Sequence, residues 1–489
     1  MSETREKEAD VGYLWVLVAL TALFFAIRAP FTASFWLDET ITAWIVSGSL
    51  ASAWTRAIDF QGQSPLYYSL VWVVRQLFGG GELVLRALSI GCGALVLFVA
   101  ARIARKLSTG WTVPLVVVAL LIGSDGFQDA VLSARPYALA MLCASTSLLL
   151  LLSLREGYSV GKVAAFSASL VATFYAHYLF AVVGLVHLLV LVGDRQLMRR
   201  LLPWGVVTAL ACVPGVFQLV SLSRRAAALS FGAMPVISID SLWQLPAALL
   251  AWSLGVLKIT VPVIAVVSCG VGVILAVIWD GRVRLGVAVR ANLVLLMSYV
   301  LIPPLLFLIV SCLSPSMLLV PRYWSWSLVP LAVLLALIVG SVQGQRARKI
   351  AVLTTLVFLI LRVLSQERAL EEWRGAAALA RASATRVVLF SGLIEAEGPS
   401  QIEVGEYYQY LRAPLLVYGV EQPIDVVGVT YSEEQLKSAF EVAPFTLVAF
   451  HARRSGVLSP ERFVHTIERQ GREPSLQEQG RLITVANVR

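Results

Sequence analysis

The chain has 489 residues, of which 58% are hydrophobic and only 14% charged, with a formal net charge of +9. Soluble domains carry roughly 25% charged residues, so the composition excludes a soluble protein and points to a polytopic membrane protein. The basic excess then reads as positively charged cytoplasmic loops, not as a nucleic-acid surface.

The hydrophobic excess stops near residue 364, which predicts a transmembrane domain over 1–364 and a soluble domain over 365–489. The cysteines (Cys92, Cys143, Cys212, Cys269, Cys312) all fall in apolar segments, so the tail carries neither a disulfide nor zinc-ligand spacing. Residues 1–10 mix Glu, Lys and Arg, and no small-residue cleavage site follows the apolar run 11–27, which reads as a retained first span. A long loop of mixed character occupies 29–82, with short amphipathic helices expected over 39–49 and 52–60. Within it, 64–78 is apolar but short and carries Arg75, so it is either a span or a helix lying at the membrane interface.

Further apolar runs long enough to be candidate spans lie at 83–103, 111–123, 136–154, 162–176, 177–193, 201–220, 259–279, 291–312, 323–341 and 348–364. Loop charge decides the ambiguous segments. If 64–78 lies at the interface, the clusters Arg102/Arg105/Lys106, Arg155/Lys162, Arg195/Arg199/Arg200, Arg282/Arg284/Arg290 and Arg346/Arg348/Lys349 all share the side of the N-terminus. The same bias makes 243–257, which contains Pro246, re-entrant or interfacial. The expected topology has about eleven spans, a cytoplasmic N-terminus and an extracytoplasmic C-terminal domain. In the tail, strands are expected at 386–390, 415–418, 425–429, 446–450 and 482–488, and helices within 366–384, 401–411, 432–440 and 460–469. That pattern is a small α/β domain.

This topology gathers the unusual polar residues on the outer side: Asp38, Glu39, Asp59, Gln61, Gln63, Arg86, Asp125, Asp129, Arg135, Tyr137, His177, Tyr178, Arg224, Arg225, Arg322 and Tyr323. Outward arginines run against the topological bias, and an anionic lipid headgroup would explain them, because a guanidinium pairs with phosphate as an always-charged fork. Carboxylates beside a phosphate-binding set suggest proton abstraction from a hydroxyl. Each residue also has a plainer role. Asp38 and Glu39 would serve as caps of a helix starting at Thr40. Arg135 and Arg322 would snorkel to headgroups, and His177 and His187 would be packing residues. His451 and His465 have no assigned role.

Their order along the chain weighs against the plain readings. Trp36-Leu37-Asp38-Glu39 follows the first span, then come Gln63-Ser64-Pro65-Leu66-Tyr67-Tyr68, Arg86 with Ser89, Arg135-Pro136-Tyr137, His177-Tyr178 and Arg322-Tyr323. In this order the chain resembles the GT-C glycosyltransferases of the dolichyl-phosphate-mannose-protein mannosyltransferase-like group, glycosyltransferase family 39, with the lipid A aminoarabinose transferases as relatives. The resemblance covers about residues 11–340. The segment Glu371-Glu372-Trp373-Arg374-Gly375 with its following helix and strand is similar to the outer domain appended to many bacterial members.

The resemblance implies an all-α polytopic transmembrane bundle of GT-C type, with a large first extracytoplasmic loop of juxtamembrane helices and a C-terminal extracytoplasmic α/β domain. It implies a bacterial inner-membrane enzyme that transfers a sugar, hexosyl or pentosyl, from a polyprenyl-phosphate donor to a hydroxyl of a protein, lipid or polysaccharide acceptor. Asp38 is then the general base, Glu39 its support, and a single displacement inverts the anomeric centre. Arg135, Tyr137, His177, Tyr178, Arg322 and Tyr323 are implied holders of the lipid phosphate, with Gln63, Tyr67 and Arg86 as further substrate contacts. Many members have His-Pro-Pro where this chain has Gln63-Ser64-Pro65, which removes one group able to contact metal. No cofactor is required by the pattern, although a divalent cation could draw on Asp38, Asp125 or Asp129.

The competing reading is a transporter or flippase of lipid-linked glycans. Transporters place polar residues near mid-membrane in broken helices and show inverted repeats, whereas here the polar residues cluster at one face and no repeat is evident. A lipid-linked glycan ligase or polymerase would carry a large late outer loop with arginines and a histidine. The loop 221–242 has Arg224 and Arg225 but no histidine.

Overall fold

The computed structural model describes residues 2–59, 63–228, 287–313, 321–341, 346, 348–350, 352, 353, 355, 357, 371–383, 386–391, 409–428, 431–450, 460–479 and 483–488. The expected segments at 243–257 and 259–279, and most of 348–364 and 401–411, lie outside them. In chain order the helices are α1 (Ser2–Arg28), α2 (Leu37–Ile45), α3 (Leu50–Asp59), α4 (Pro65–Phe78), α5 (Glu82–Leu107), α6 (Thr112–Gly123), α7 (Asp125–Val131), α8 (Tyr137–Glu156), α9 (Val160–Ala176), α10 (Val182–Val192), α11 (Arg195–Ala228), α12 (Val287–Leu313) and α13 (Leu328–Gly340). Short 3-10 turns at Tyr178–Ala181 and Pro321–Ser327 precede α10 and α13.

The chain divides into two compact units, one made of 1–29, 86–220 and 234–366, the other of 30–85, 221–233 and 367–489. In the first unit, five helices are long and apolar enough to cross a membrane, or six with the bent pair α6–α7 taken as one span, among the described residues. The chain is a multi-pass membrane protein. Its helices pack through small residues, which replace a hydrophobic driving force inside lipid with close van der Waals contact. A Cβ added at Gly340 of α13 would come within 2.5 Å of Val113 on α6, and one at Gly93 of α5 within 2.6 Å of Val131. The core includes Val96, Ala100, Val117, Met141, Leu148, Val333 and Ala336. The long α11, by contrast, leaves Val206, Val207, Leu210 and Phe217 exposed, as lipid-facing side chains would be.

Two local devices place the polar ends of these helices. The apolar run from Thr112 breaks at Ser124, where extended backbone turns α7 by 74° from α6. Ser124 caps α7 by accepting from the Phe127 N–H at 3.4 Å, and Gln128 bridges the corner, donating to Ile122 O at 2.7 Å while accepting from Arg28 Nε at 3.1 Å. Between α8 and α9, Lys162 Nζ donates to Gly157 O at 2.8 Å and Ser153 O at 3.1 Å, a cation on the carbonyls that end α8.

The second unit holds α2, α3, α4 and a five-stranded sheet, β1 (Arg386–Phe390), β2 (Ile424–Val426), β3 (Phe445–Phe450), β4 (Pro474–Gln479) and β5 (Ile483–Val488). The strand order is β2-β1-β3-β5-β4, with β1 parallel to β2 and β3, and β5 antiparallel to β3 and β4. Helix Trp373–Ala382 packs Trp373, Ala376, Ala377 and Ala380 onto one face of this sheet against Val387, Leu389, Val448 and Val485. Two expectations fail here. The segment 415–418 is not a strand. It belongs to the short helix Ala413–Leu416, begun by Pro414, whose fixed φ suits a first helical turn, and closed soon after by Gly419 at φ +73°. The edge strand β4 was not foreseen, because Pro-Ser-Leu-Gln-Glu-Gln is exposed and shows no apolar alternation.

Candidate active site

In the helical unit, Arg135, Tyr137, His177, Arg322 and Tyr323 meet, although they come from three separated parts of the chain. Arg135 lies in the turn leading to α8, its N–H bonded to Ser133 O at 2.8 Å, and Tyr137 opens that helix. His177 is the C-cap of α9, where the backbone turns extended and the helix gives way to a 3-10 turn. Arg322 and Tyr323 sit in the 3-10 turn before α13.

The His177 ring lies 5.2 Å from Tyr137, 5.0 Å from Phe180 and 5.9 Å from Tyr323, centroid to centroid. The Arg135 guanidinium is 5.9 Å from the Tyr137 ring and that of Arg322 is 5.8 Å from Tyr323, within the range of cation–π attraction. Both guanidinium charges bear on His177. His177 is 2% exposed, and neither ring nitrogen has a hydrogen-bond partner among the described residues. A buried polar atom without a partner costs about 1–3 kcal/mol, so this group of positive charges and unsatisfied imidazole suits an anionic ligand.

The other expected residues of this unit lie on neighbouring elements. The Tyr178 hydroxyl donates to Gln218 Oε1 and its ring is 5.0 Å from Phe174. Arg86 is buried on α5, one turn before Ser89, whose hydroxyl donates to Arg135 O at 3.2 Å. Asp125 starts α7 and is partly buried, while Asp129 is exposed. No group of three or more His, Cys, Asp or Glu is arranged to hold a metal ion among the described residues.

In the second unit the adjacent carboxylates separate. Helix α2 begins at Leu37, so Asp38 and Glu39 lie in its first turn, where the helix dipole favours negative charge. Glu39 is fully buried, and its carboxylate accepts from the Trp36 N–H at 3.2 Å, closing the turn as a cap. Asp38 stays partly exposed. Gln63 is partly buried, with its N–H donated to Ala57 O at 3.0 Å, and Tyr67 is fully buried, edge-on to Tyr68 at 5.5 Å.

Sequence reading singled out the segment 371–375 but not its contact with this turn, and it missed Tyr418 and Glu82. The Glu371 carboxylate accepts from the Leu37 N–H at 2.7 Å and from Trp373 Nε1 at 2.8 Å, with the same oxygen. The Tyr418 hydroxyl accepts from the Phe35 N–H at 2.7 Å and donates to Glu82 at 3.2 Å. Arg374 pairs with Glu82 at 2.8 Å and donates to Thr32 O at 3.0 Å, while its N–H donates to Ser34 Oγ at 3.1 Å. Burial pushes the Glu371 carboxyl up to about 7, with the charges of Asp38 and Glu39 adding to the rise.

No protein-family model matches the chain, and no curated protein does. Solved structures do. The apo structure of ArnT from Cupriavidus metallidurans superposes with a TM-score of 0.60 at 14% identity, covering 98% of this chain and 98% of that one. The chain has the fold of ArnT. The structure of the same protein bound to undecaprenyl phosphate gives a TM-score of 0.56 at 13% identity, over 98% of this chain and 99% of that one. The alignment with ArnT takes in the helical unit and the small sheet together, so the likeness extends past the 11–340 range that carries the motifs. The helical bundle with a C-terminal α/β domain expected from those motifs is the architecture found.

Proposed function

We propose that the protein is a membrane glycosyltransferase that moves a sugar from a polyprenyl-phosphate donor to a hydroxyl acceptor at the extracytoplasmic face. The observation that carries this reading is the buried His177, with both nitrogens unpartnered among the described residues and the charges of Arg135 and Arg322 upon it. That is the chemistry a lipid phosphate requires. Support comes from the shared fold with ArnT, which has been crystallised with undecaprenyl phosphate.

In the proposed reaction Asp38 takes the proton from the acceptor hydroxyl as its oxygen attacks the anomeric carbon. The bond from that carbon to the phosphate oxygen breaks on the opposite side, so the anomeric configuration inverts. The departing polyprenyl phosphate carries the electron pair, and Arg135 and Arg322 stabilise its growing charge. Glu39, committed to the Trp36 N–H, orients the turn. The outward placement of the second unit follows from loop charge and is part of the proposal.

The test is Asp38→Asn, introduced into the chromosomal gene, with mass analysis of cell-envelope glycans. Loss of one glycan species, with normal membrane insertion and normal binding of undecaprenyl phosphate, is expected. An unchanged glycan profile against a gene deletion that does lose the species would sink the mechanism.

A further inference from the structure

The helix that presents Asp38 does not stand on its own hydrogen bonds. Its first backbone N–H, that of Leu37, belongs to the set a helix cannot satisfy internally. It is taken by Glu371, a residue 334 positions later in the chain. Trp36, at the N-cap, offers no side-chain cap bond. Just upstream, the Phe35 N–H goes to Tyr418, and Ser34 Oγ lies 3.0 Å from the Tyr418 hydroxyl and accepts from the Arg374 N–H. The segment 32–37 is therefore fastened at successive points by the 371–374 segment and Tyr418. The fastening is rigid at its root, since Trp373 is fully buried against the sheet and its ring stacks on Phe450 at 6.1 Å.

We propose that Glu371 is a positioning residue for Asp38, setting the first turn of α2 through the Leu37 N–H. The inference rests on the reading of Asp38 as the base. Glu371 touches neither substrate nor reacting atom in this scheme. One of its oxygens accepts both the Leu37 N–H and the Trp373 indole N–H. A glutamine oxygen can accept the same two bonds, so the role needs an acceptor at that point and no charge. Asp, one methylene shorter, keeps the charge but withdraws the acceptor. The two variants separate positioning from charge.

The experiment uses the full chain in lipid nanodiscs for amide hydrogen exchange, and cells carrying the same variants for envelope-glycan analysis. Glu371→Ala and Glu371→Asp should each raise exchange across 36–41 by at least tenfold, leave peptides of α8 and α9 unchanged, and lower the glycan product by at least tenfold at equal protein level. Glu371→Gln should keep exchange and product within about threefold of the parent. Unchanged exchange at 36–41 in both Ala and Asp variants would overturn the inference, as would raised exchange with full product. Should Glu371→Ala not fold, the Asp and Gln pair decides alone. Asp38→Asn is run beside them: full product there overturns the base reading itself, whereas lost product there with full product in the Glu371 variants overturns only the positioning role.

Discussion

The two polar clusters of this protein are built on opposite principles. In the second unit, the segment 32–37 is bonded to matched partners in 371–374 and to Tyr418, and the result is a fixed turn with Asp38 left partly exposed. In the helical unit, a histidine is buried at 2% exposure beside two cationic side chains, with both nitrogens unpartnered among the described residues. Interiors normally satisfy their polar groups, so the first cluster has the signature of a scaffold and the second that of a binding site. A partly exposed carboxylate is surrounded by satisfied neighbours, and a buried imidazole by cations.

The largest effect should come from the scaffolded side. General bases contribute about 10²–10⁴-fold, so Asp38→Asn is expected to lower glycan transfer by that factor with donor binding intact. A variant that loses binding as well as turnover would mean that Asp38 also shapes the donor site. Next in size is Arg322→Ala. Losing one charge-assisted contact of about 1.5–3 kcal/mol predicts roughly 10–100-fold weaker binding of undecaprenyl phosphate, read by isothermal titration in nanodiscs. His177→Phe keeps the ring packing against Tyr137 and Phe180 but removes the nitrogens. It should weaken the same binding by about tenfold, the worth of one hydrogen bond. Equal affinity in the Phe variant would make His177 a packing residue and remove the contrast between the clusters.

The residues that meet around His177 could be singled out because each sits where an apolar run ends: Arg135 before α8, His177 after α9, Arg322 before α13. Hydropathy marks those ends, and charge against the expected loop bias marks the residues. Their convergence was not legible, since periodicity along one helix does not say which helix ends meet. The role of Glu371 was hidden for a different reason. The segment 371–375 could be read as the start of the outer domain, but the partner of Glu371 lies 334 residues away. The grouping of residues 30–85 with 367–489 in one compact unit shows the same limit, because composition separates them while hydrogen bonds between side chain and backbone join them. The helix at 413–416 was obscured by its brevity, and β4 by its polarity.

Glu371 tests, through stability instead of activity, how far a satisfied cluster can still carry strain. Glu371 accepts two hydrogen bonds, which lower its pKa, yet burial and the nearby Asp38 and Glu39 charges raise it from 4.5 to about 7. The folded protein therefore holds a proton between these values that the unfolded chain has released. Stability should fall as pH rises from about 4.5 to about 7 and level off above. Glu371→Gln copies the protonated form at every pH. It is expected to unfold with the parent at pH 4.5 and to exceed it at pH 8 by about 1–3 kcal/mol. Thermal unfolding of the nanodisc-embedded protein at both pH values reads the difference. Parallel curves for parent and variant would show that Glu371 is already neutralised by other means, and that the scaffold is relaxed as well as satisfied.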